Sequence, residues 1–239
     1  MKNKLIIFAI FLAIFLAVSF CVYQNSSLSG KELLINSTVQ SLLKDVPLEV
    51  AKFITYFGHE INWKISVGIA IITLLVFRKF KEAILYFISL PFAEYVYSSI
   101  KAIIQRPRPP MEIRLIEVGN SSFPSGHSTM SMVAYGLLIY FVCKYVKNKP
   151  LKISLISLLS CLILLVGFSR VWVGVHFPTD VIGGFSLGIC IICIFAVVNE
   201  IKLPFTKWNI FFILGLFRFL YSKIVLLCST IYQINYKKL

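Results

Sequence analysis

The chain has 239 residues, of which 58% are hydrophobic and only 14% are charged, and its formal net charge is +14. A soluble domain carries about 25% charged residues, so the composition excludes an ordinary soluble protein and indicates a polytopic membrane protein. The positive charge does not indicate nucleic-acid binding, because the basic residues lie mostly between apolar segments, as topology determinants do.

Six apolar segments approach the roughly 20 helical residues that are needed to cross a bilayer. The first follows Lys2 and Lys4, and no small-x-small cleavage site follows it, which favours an uncleaved span over a signal peptide. We therefore predict an all-α, polytopic membrane bundle of about six transmembrane helices with additional amphipathic helices. The predicted spans are residues 5–22, 61–77, 83–100, 124–146, 153–168 and 180–198.

Two stretches outside these spans predict helices at the membrane surface. Residues 24–64 combine turn residues with helical spacing, which predicts short amphipathic helices at the outer surface. Residues 208–231 are apolar but interrupted by Arg218 and Lys223, so they form either a seventh span or, as we favour, a basic amphipathic helix on the cytoplasmic leaflet. The predicted domains are a first span with an outer segment (1–60), a catalytic core (61–200) and a basic C-terminal segment (201–239).

The charge distribution predicts the orientation of the bundle. With the N-terminus in the cytoplasm, 15 of the 24 Lys and Arg residues lie on the cytoplasmic side, as the positive-inside rule expects. This topology brings three polar stretches to the outer face. They are residues 101–109, 124–127 and 169–180.

The residue types in these stretches are suited to a phosphoryl group. Lys101, Arg108 and Arg170 offer three cations for a dianion. Ser125 and the backbone N–H of Gly126 lie at a helix start, where free N–H groups and the helix dipole favour anions.

The two histidines of these stretches suggest divided roles in catalysis. One of His127 and His176 can attack phosphorus while the other protonates the leaving oxygen. Asp180, four residues after His176, can hold one ring nitrogen and fix the tautomer. The sequence offers no acidic cluster for Mg²⁺ or Zn²⁺, so we expect no metal or other cofactor and assign charge neutralisation to side chains.

Other polar residues are assigned no role in the chemistry. We interpret Arg106 and Arg114 as interfacial cations and His59 as an interfacial histidine. The six cysteines lie in or beside apolar segments, and the pair Cys190 and Cys193 has no partner pair, so we interpret them as small packing residues. Each motif alone is also typical of an ordinary loop or helix start, and their coincidence on one face is what favours an active site.

The three stretches resemble the tripartite signature of the type 2 phosphatidic acid phosphatase superfamily. Its patterns K-x6-R-P, P-S-G-H and S-R-x5-H-x3-D all match, in order and without departure, within roughly residues 60–200. The resemblance implies a metal-independent phosphatase with a six-helix core, in which His176 is the nucleophile that forms a phosphohistidine, Asp180 orients it and His127 is the general acid. The implied phosphate pocket consists of Lys101, Arg108, Ser125, Gly126 and Arg170.

The resulting prediction is a lipid phosphatase of the bacterial inner membrane with its site on the periplasmic or outer face. The candidate substrates are lipid A 1-phosphate, undecaprenyl diphosphate, phosphatidylglycerophosphate and phosphatidic acid, with a slight preference for lipid A or another envelope lipid. Soluble vanadate haloperoxidases share the signature, but the hydrophobicity of this chain argues against that branch. A lipid phosphotransferase with the same pocket and a non-catalytic anionic-lipid binder or transporter remain alternatives, and the oligomeric state is open. We expect head-group specificity to depend on residues 24–64 and 110–123.

Overall fold

The computed structural model describes residues 1–24, 26–119 and 121–201, together with Gly215. All regular secondary structure in these residues is helical, which confirms the predicted all-α fold. The chain divides into two compact units, Met1–Asn199 and Glu200–Leu239. The second unit, with the span or amphipathic helix predicted over residues 208–231, lies almost entirely outside the described residues. The α-helices described are α1 Lys2–Gln24, α2 Ser26–Leu42, α3 Leu48–Tyr56, α4 Glu60–Val76, α5 Phe80–Ile104, α6 Gly126–Tyr145, α7 Lys149–Trp172 and α8 Pro178–Glu200.

Five of these helices, α1, α5, α6, α7 and α8, are long and apolar enough to cross a membrane. The second predicted span corresponds to α4, which has 17 residues and is about 26 Å long at 1.5 Å per residue. That length is slightly less than the ~30 Å hydrocarbon core of a bilayer. The protein is thus an integral membrane protein with about six spanning helices, as predicted.

The two surface helices predicted within residues 24–64 are α2 and α3, and they pack against the segment that follows α7. Ala51 of α3 joins Trp172, Val173 and Val175 in a buried apolar cluster, and Val39 of α2 packs against it. Burial of aliphatic and aromatic side chains contributes roughly 25 cal/mol per Å² of apolar surface. This cluster therefore fixes the segment that carries the third motif.

The end of α7 explains the spacing between Arg170 and His176. Gly174 has a φ of +69°, a left-handed conformation that glycine adopts without strain. Its N–H donates to Val171 O (3.0 Å), and Val175 N–H donates to Arg170 O (3.2 Å), which together form a Schellman motif. The chain thus reverses within a few residues, and both Arg170 and His176 belong to the same helix end.

The start of α8 fixes the position of Asp180. Pro178 is the first helical residue, where proline is favoured because its missing N–H would have no helical partner. The carboxylate of Asp180 accepts a hydrogen bond from Phe177 N–H (2.9 Å), as the third residue of a helix does in a capping box. Its charge is also stabilised at the positive end of the helix dipole.

Glycines on α8 allow the start of α6 to approach closely. A Cβ atom at Gly184 would lie 2.7 Å from Ser125 O, and one at Gly183 would lie 2.5 Å from the Phe123 ring. Ser125 N–H donates to Asp180 O (3.0 Å). The second and third motifs are therefore joined directly by backbone contact.

Gly174→Ala is expected to destabilise the protein by about 2 kcal/mol or more, because a non-glycine residue in the left-handed region costs ~1–2 kcal/mol and the new Cβ would lie 2.1 Å from Ile113 O. Thermal unfolding of the detergent-solubilised protein would measure the loss. Gly68→Ala on α4 is the matched control, since a Cβ there meets nothing within 4 Å. Equal unfolding temperatures for the two variants would contradict the prediction.

Candidate active site

The three motifs meet around one cavity of about 800 Å³. Both motif histidines and the three motif cations line it, which the sequence predicted. Ser125 and Asp180 are completely buried behind its wall. The lining residues are Tyr97, Ser98, Lys101, Ala102, Gln105, Arg106, Pro107, Arg108, Val118, Gly119, Ser121, Gly126, His127, Arg170 and His176.

The contacts of His176 define its tautomer. Its Nδ1 lies 3.3 Å from Asp180 Oδ2, and its Nε2 lies 3.2 Å from Arg108 Nη1. A guanidinium group can only donate hydrogen bonds, so Nε2 must be the acceptor and the ring proton belongs on Nδ1, facing the carboxylate. Nε2 thus carries no proton, as a nucleophile requires, and it lies beside the cation that would hold a phosphate.

Burial keeps the His176 ring neutral. It lowers the pKa of His176 to about 3, although Asp180 opposes this effect, and the charges of Arg108 and Arg170 lower the pKa further. Burial also lowers the pKa of Arg108, again with Asp180 acting in the opposite direction. At physiological pH the imidazole is therefore neutral, and a phosphate dianion bound beside the buried cations would supply them with counter-charge.

Two of the cations are held by backbone carbonyls. Lys101 Nζ donates to Ser121 O (2.7 Å) and Ser122 O (3.1 Å). Arg108 Nη1 donates to Val175 O (2.7 Å), next to the nucleophile. These contacts tie Lys101 to the segment just before the second motif and Arg108 to the third motif, and they set the positions of both charges.

The third cation, Arg170, is almost fully buried at 2% exposure. Its Nη1 donates to Thr55 Oγ1 at 3.4 Å, and its Nε has no hydrogen-bond partner among the described residues. A buried, unsatisfied N–H group costs free energy. Because Arg170 lines the cavity, an anion bound there would supply the missing acceptor.

The start of α6 supplies the remaining predicted pocket residues. Ser125 is the N-cap of α6, and its hydroxyl accepts a hydrogen bond from Ser128 N–H at 3.4 Å. Gly126 and His127 follow in the first turn and line the cavity. A Cβ at Gly126 would lie 3.1 Å from the Tyr97 ring, so glycine leaves this end of the helix open to a ligand. Ser125 thus acts on the helix end behind the wall, whereas Gly126 borders the cavity.

Arg106 is a buried part of the site, and its interpretation as an interfacial cation is wrong. Its exposure is 6%. Nη1 donates to Asp180 Oδ1 (2.6 Å) and to Thr179 Oγ1 (2.8 Å), and Nη2 pairs with Glu32 of α2. The sequence could not show this, because Glu32 lies in a different segment and carries no motif. Arg114, by contrast, is half-buried and donates to Pro109 O (2.6 Å).

Ser122 is a further residue that the sequence did not single out. Its hydroxyl donates to Asp180 Oδ2 and lies 3.3 Å from Nδ1 of His176. The only feature of the sequence that could have pointed to Ser122 is its position two residues before Pro124, the start of the second motif. Ser122 and Arg106 therefore complete the hydrogen bonding of Asp180, which leaves that carboxylate ionised and fixed against the imidazole.

Comparison with known proteins agrees with this geometry. A sequence model of the PAP2 superfamily matches residues 82–203, and phosphatidylglycerophosphatase B of Bacillus subtilis is 31% identical over 180 residues, which are 73% of this chain and 86% of that protein. The chain belongs to the PAP2 superfamily. The crystal structure of a PAP2 type phosphatidylglycerolphosphate phosphatase from Bacillus subtilis has a TM-score of 0.73 at 26% identity, covering 86% of this chain and all of that one (100%).

A further relative is named for a different lipid. Decaprenylphosphoryl-5-phosphoribose phosphatase of Mycobacterium tuberculosis is 31% identical over 163 residues, which are 66% of this chain and 84% of that protein. Membership of the PAP2 superfamily confirms the predicted enzyme class, a membrane lipid phosphatase. The match to the family begins at residue 82, so Glu32 and Thr55 contact the site from outside the matched region.

The walls of the cavity differ in part from the predicted specificity region. Residues 110–123 contribute Val118, Gly119 and Ser121 to the cavity wall. Among the residues that the structure describes, none from the stretch 24–64 lines the cavity. The last turn of α5 and the turn before it form another part of the wall. The α5 lining residues are Tyr97, Ser98, Lys101 and Ala102.

Proposed function

We propose that this PAP2 phosphatase hydrolyses an envelope lipid phosphate through a phosphohistidine on His176. The observation that carries the proposal is the single cavity that contains both His127 and His176 together with three cations. Phosphoryl transfer depends mainly on positioning and on neutralising charge at the oxygens. This arrangement provides both, because the cations surround the space that the nucleophile faces.

The first step of the proposed reaction is attack of His176 Nε2 on phosphorus. The bond from phosphorus to the lipid oxygen breaks, and His127 donates a proton to that oxygen. The imidazolium that results keeps its proton on Nδ1, where Asp180 stabilises it. In the second step His127 accepts a proton from water, the water oxygen attacks phosphorus, and the P–N bond breaks to release phosphate and neutral His176.

The pocket cations are assigned to the non-bridging phosphate oxygens. Lys101, Arg108 and Arg170 stabilise the charge that these oxygens carry during transfer, and the first-turn N–H groups beginning at Gly126 assist them. Ser125 supports that helix end. Because Lys101 and Arg108 are held by backbone carbonyls and Arg170 contacts Thr55 before substrate binds, little reorganisation is needed at the moment of reaction.

We further propose that the site faces the periplasm or exterior of a bacterial inner membrane. The C-terminal ends of α5 and α7 and the N-terminal ends of α6 and α8 carry the motifs at the same end of the bundle. With a cytoplasmic N-terminus and the basic residues of the other end inside, this end lies outside. Residues 61–200 are then the catalytic core, supported by residues 1–60, with residues 201–239 as a C-terminal addition.

The first substrate to test is phosphatidylglycerophosphate. It is favoured over the other candidate lipids by the relative and the solved structure from Bacillus subtilis, whose names specify it. The proposal is tested by release of inorganic phosphate from a panel of the four candidate lipids in detergent. Release without any lipid acceptor supports hydrolysis. Loss of the lipid phosphate that requires an acceptor, with the phosphoryl group recovered on that acceptor and no free phosphate, would indicate a phosphotransferase.

Activity is expected to survive excess EDTA, with a change of less than about twofold. The charge on the transferred group is neutralised by Lys101, Arg108 and Arg170, and the described cavity-lining residues include no carboxylate, the group that Mg²⁺ prefers. Phosphate release should be measured after dialysis against EDTA, with and without added Mg²⁺. A loss of most activity that Mg²⁺ restores would contradict this assignment.

A further inference from the structure

We propose that three polar side chains of α2, Glu32, Asn36 and Gln40, form a positioning element for the catalytic loop, residues 171–179. These side chains, called here the polar stripe, are spaced four residues apart and therefore lie on one face of the helix. Each of them bonds to the catalytic loop. The proposal rests on the proposed function, since it assigns the polar stripe to the step in which His176 attacks.

Asn36 makes the contact closest to the nucleophile. It is completely buried (0% exposed), and its Nδ2 donates to His176 O (3.0 Å) and to Val171 O (3.1 Å). One amide group thus connects the last turn of α7 to the backbone of the nucleophile, across the turn at Gly174. It fixes the backbone from which the imidazole extends.

The other two residues of the polar stripe hold the two sides of the loop. Gln40 Nε2 donates to Trp172 O (3.0 Å) and to Ile113 O (2.8 Å). Glu32 Oε1 accepts from Thr179 N–H (2.9 Å) and from Thr179 Oγ1 (2.6 Å). Glu32 also pairs with Arg106, which in turn donates to Asp180.

The contacts of the polar stripe are expected to affect the rate of phosphoryl transfer more than substrate binding. None of the three polar-stripe residues lines the cavity, so none of them can contact the phosphate directly. They do fix the backbone of His176 and the partners of Asp180, and a displacement of about 1 Å in a reacting group can cost about 10²-fold in rate. Lys101 is held outside this loop by Ser121 O and Ser122 O, and Arg108 also donates from Nε to Gly119 O (3.0 Å). Loss of the polar stripe should therefore lower kcat and leave KM nearly unchanged.

The test compares Asn36→Leu and Gln40→Met with Thr38→Val on the exposed face of α2. All three substitutions preserve approximate size and remove polar groups. We expect kcat to fall about 10²-fold for Asn36→Leu and about 10-fold for Gln40→Met, with KM changed less than threefold and Thr38→Val unchanged. Inhibition by vanadate, which mimics the five-coordinate transition state, should weaken in parallel with kcat, whereas inhibition by inorganic phosphate should not.

Two results would overturn the proposal. One is a kcat for Asn36→Leu within twofold of the unsubstituted protein. The other is that inhibition by phosphate and by vanadate weakens equally, in proportion to the fraction of protein that is unfolded. A purely structural role of the polar stripe predicts that result. Either result leaves the proposed function standing if His176→Ala is inactive, whereas full activity of His176→Ala would reject the function itself.

Discussion

His176→Ala is expected to lower turnover by at least about 10³-fold, because the group that attacks phosphorus is removed. Substrate affinity should change little, since Lys101, Arg108 and Arg170 remain in the cavity. Phosphate release by the purified protein in detergent measures turnover, and the dependence of rate on lipid concentration reports affinity. A large loss of turnover with little change in substrate affinity identifies a residue that acts in the chemical step.

The chain offers a matched control in His59, an exposed histidine whose ring stacks on Tyr56 at 6.1 Å. His59→Ala should retain full turnover. If His176→Ala retained more than about a tenth of the activity, the nucleophile would be misassigned. Intact function in that variant would favour an anionic-lipid binder or transporter instead.

Arg106→Met is expected to cost about 3–5 kcal/mol of stability, the amount lost when one partner of a buried ion pair is removed. The side chain is 5% exposed, and the carboxylates that it bridges, Glu32 and Asp180, are 4% and 0% exposed. Without the guanidinium group, these two buried carboxylates would lose the cation that pairs with both of them. Thermal and denaturant unfolding in detergent should show this loss, together with a large loss of activity.

Two further variants separate the charge of Arg106 from its geometry. Arg106→Lys keeps one positive charge but cannot form the forked contacts to both carboxylates. Its stability should therefore lie between that of the unsubstituted protein and that of Arg106→Met. Arg114→Met is the control in the same loop, since Arg114 is half-buried and bonds to a carbonyl. The ion-pair network would be refuted if Arg106→Met unfolded no earlier than Arg114→Met.

The parts of the site that the sequence could predict are those with local signatures. Apolar segment lengths gave the spans, and the spacing of Arg170, His176 and Asp180 gave the third motif. That spacing is meaningful because the Schellman motif at Gly174 and the capping interaction of Asp180 are local, so they depend on residues only a few positions apart. The charge pattern likewise predicted that all three motifs share one end of the bundle.

The parts that the sequence could not predict depend on contacts between distant segments. Asn36 bonds to a carbonyl 140 residues away, and Arg106 bonds to a carboxylate 74 residues away. The pattern of Glu32, Asn36 and Gln40 on α2 is also typical of a solvated helix face. The loop partners of Asn36 and Gln40 are backbone carbonyls, which every residue carries, so the sequence does not mark them. Arg106 was misinterpreted for the same reason, since a charged residue in a loop beside a membrane usually contacts water or lipid head groups.

The most direct measurement is identification of the covalent intermediate. The protein is mixed with a lipid phosphate carrying radioactive phosphorus, quenched in alkali during the first turnover, and digested to locate the label. The proposed mechanism predicts a phosphoryl group on His176 that is stable in alkali and lost in acid. Label on any other side chain, or a burst of released phosphate with no labelled protein, would contradict it.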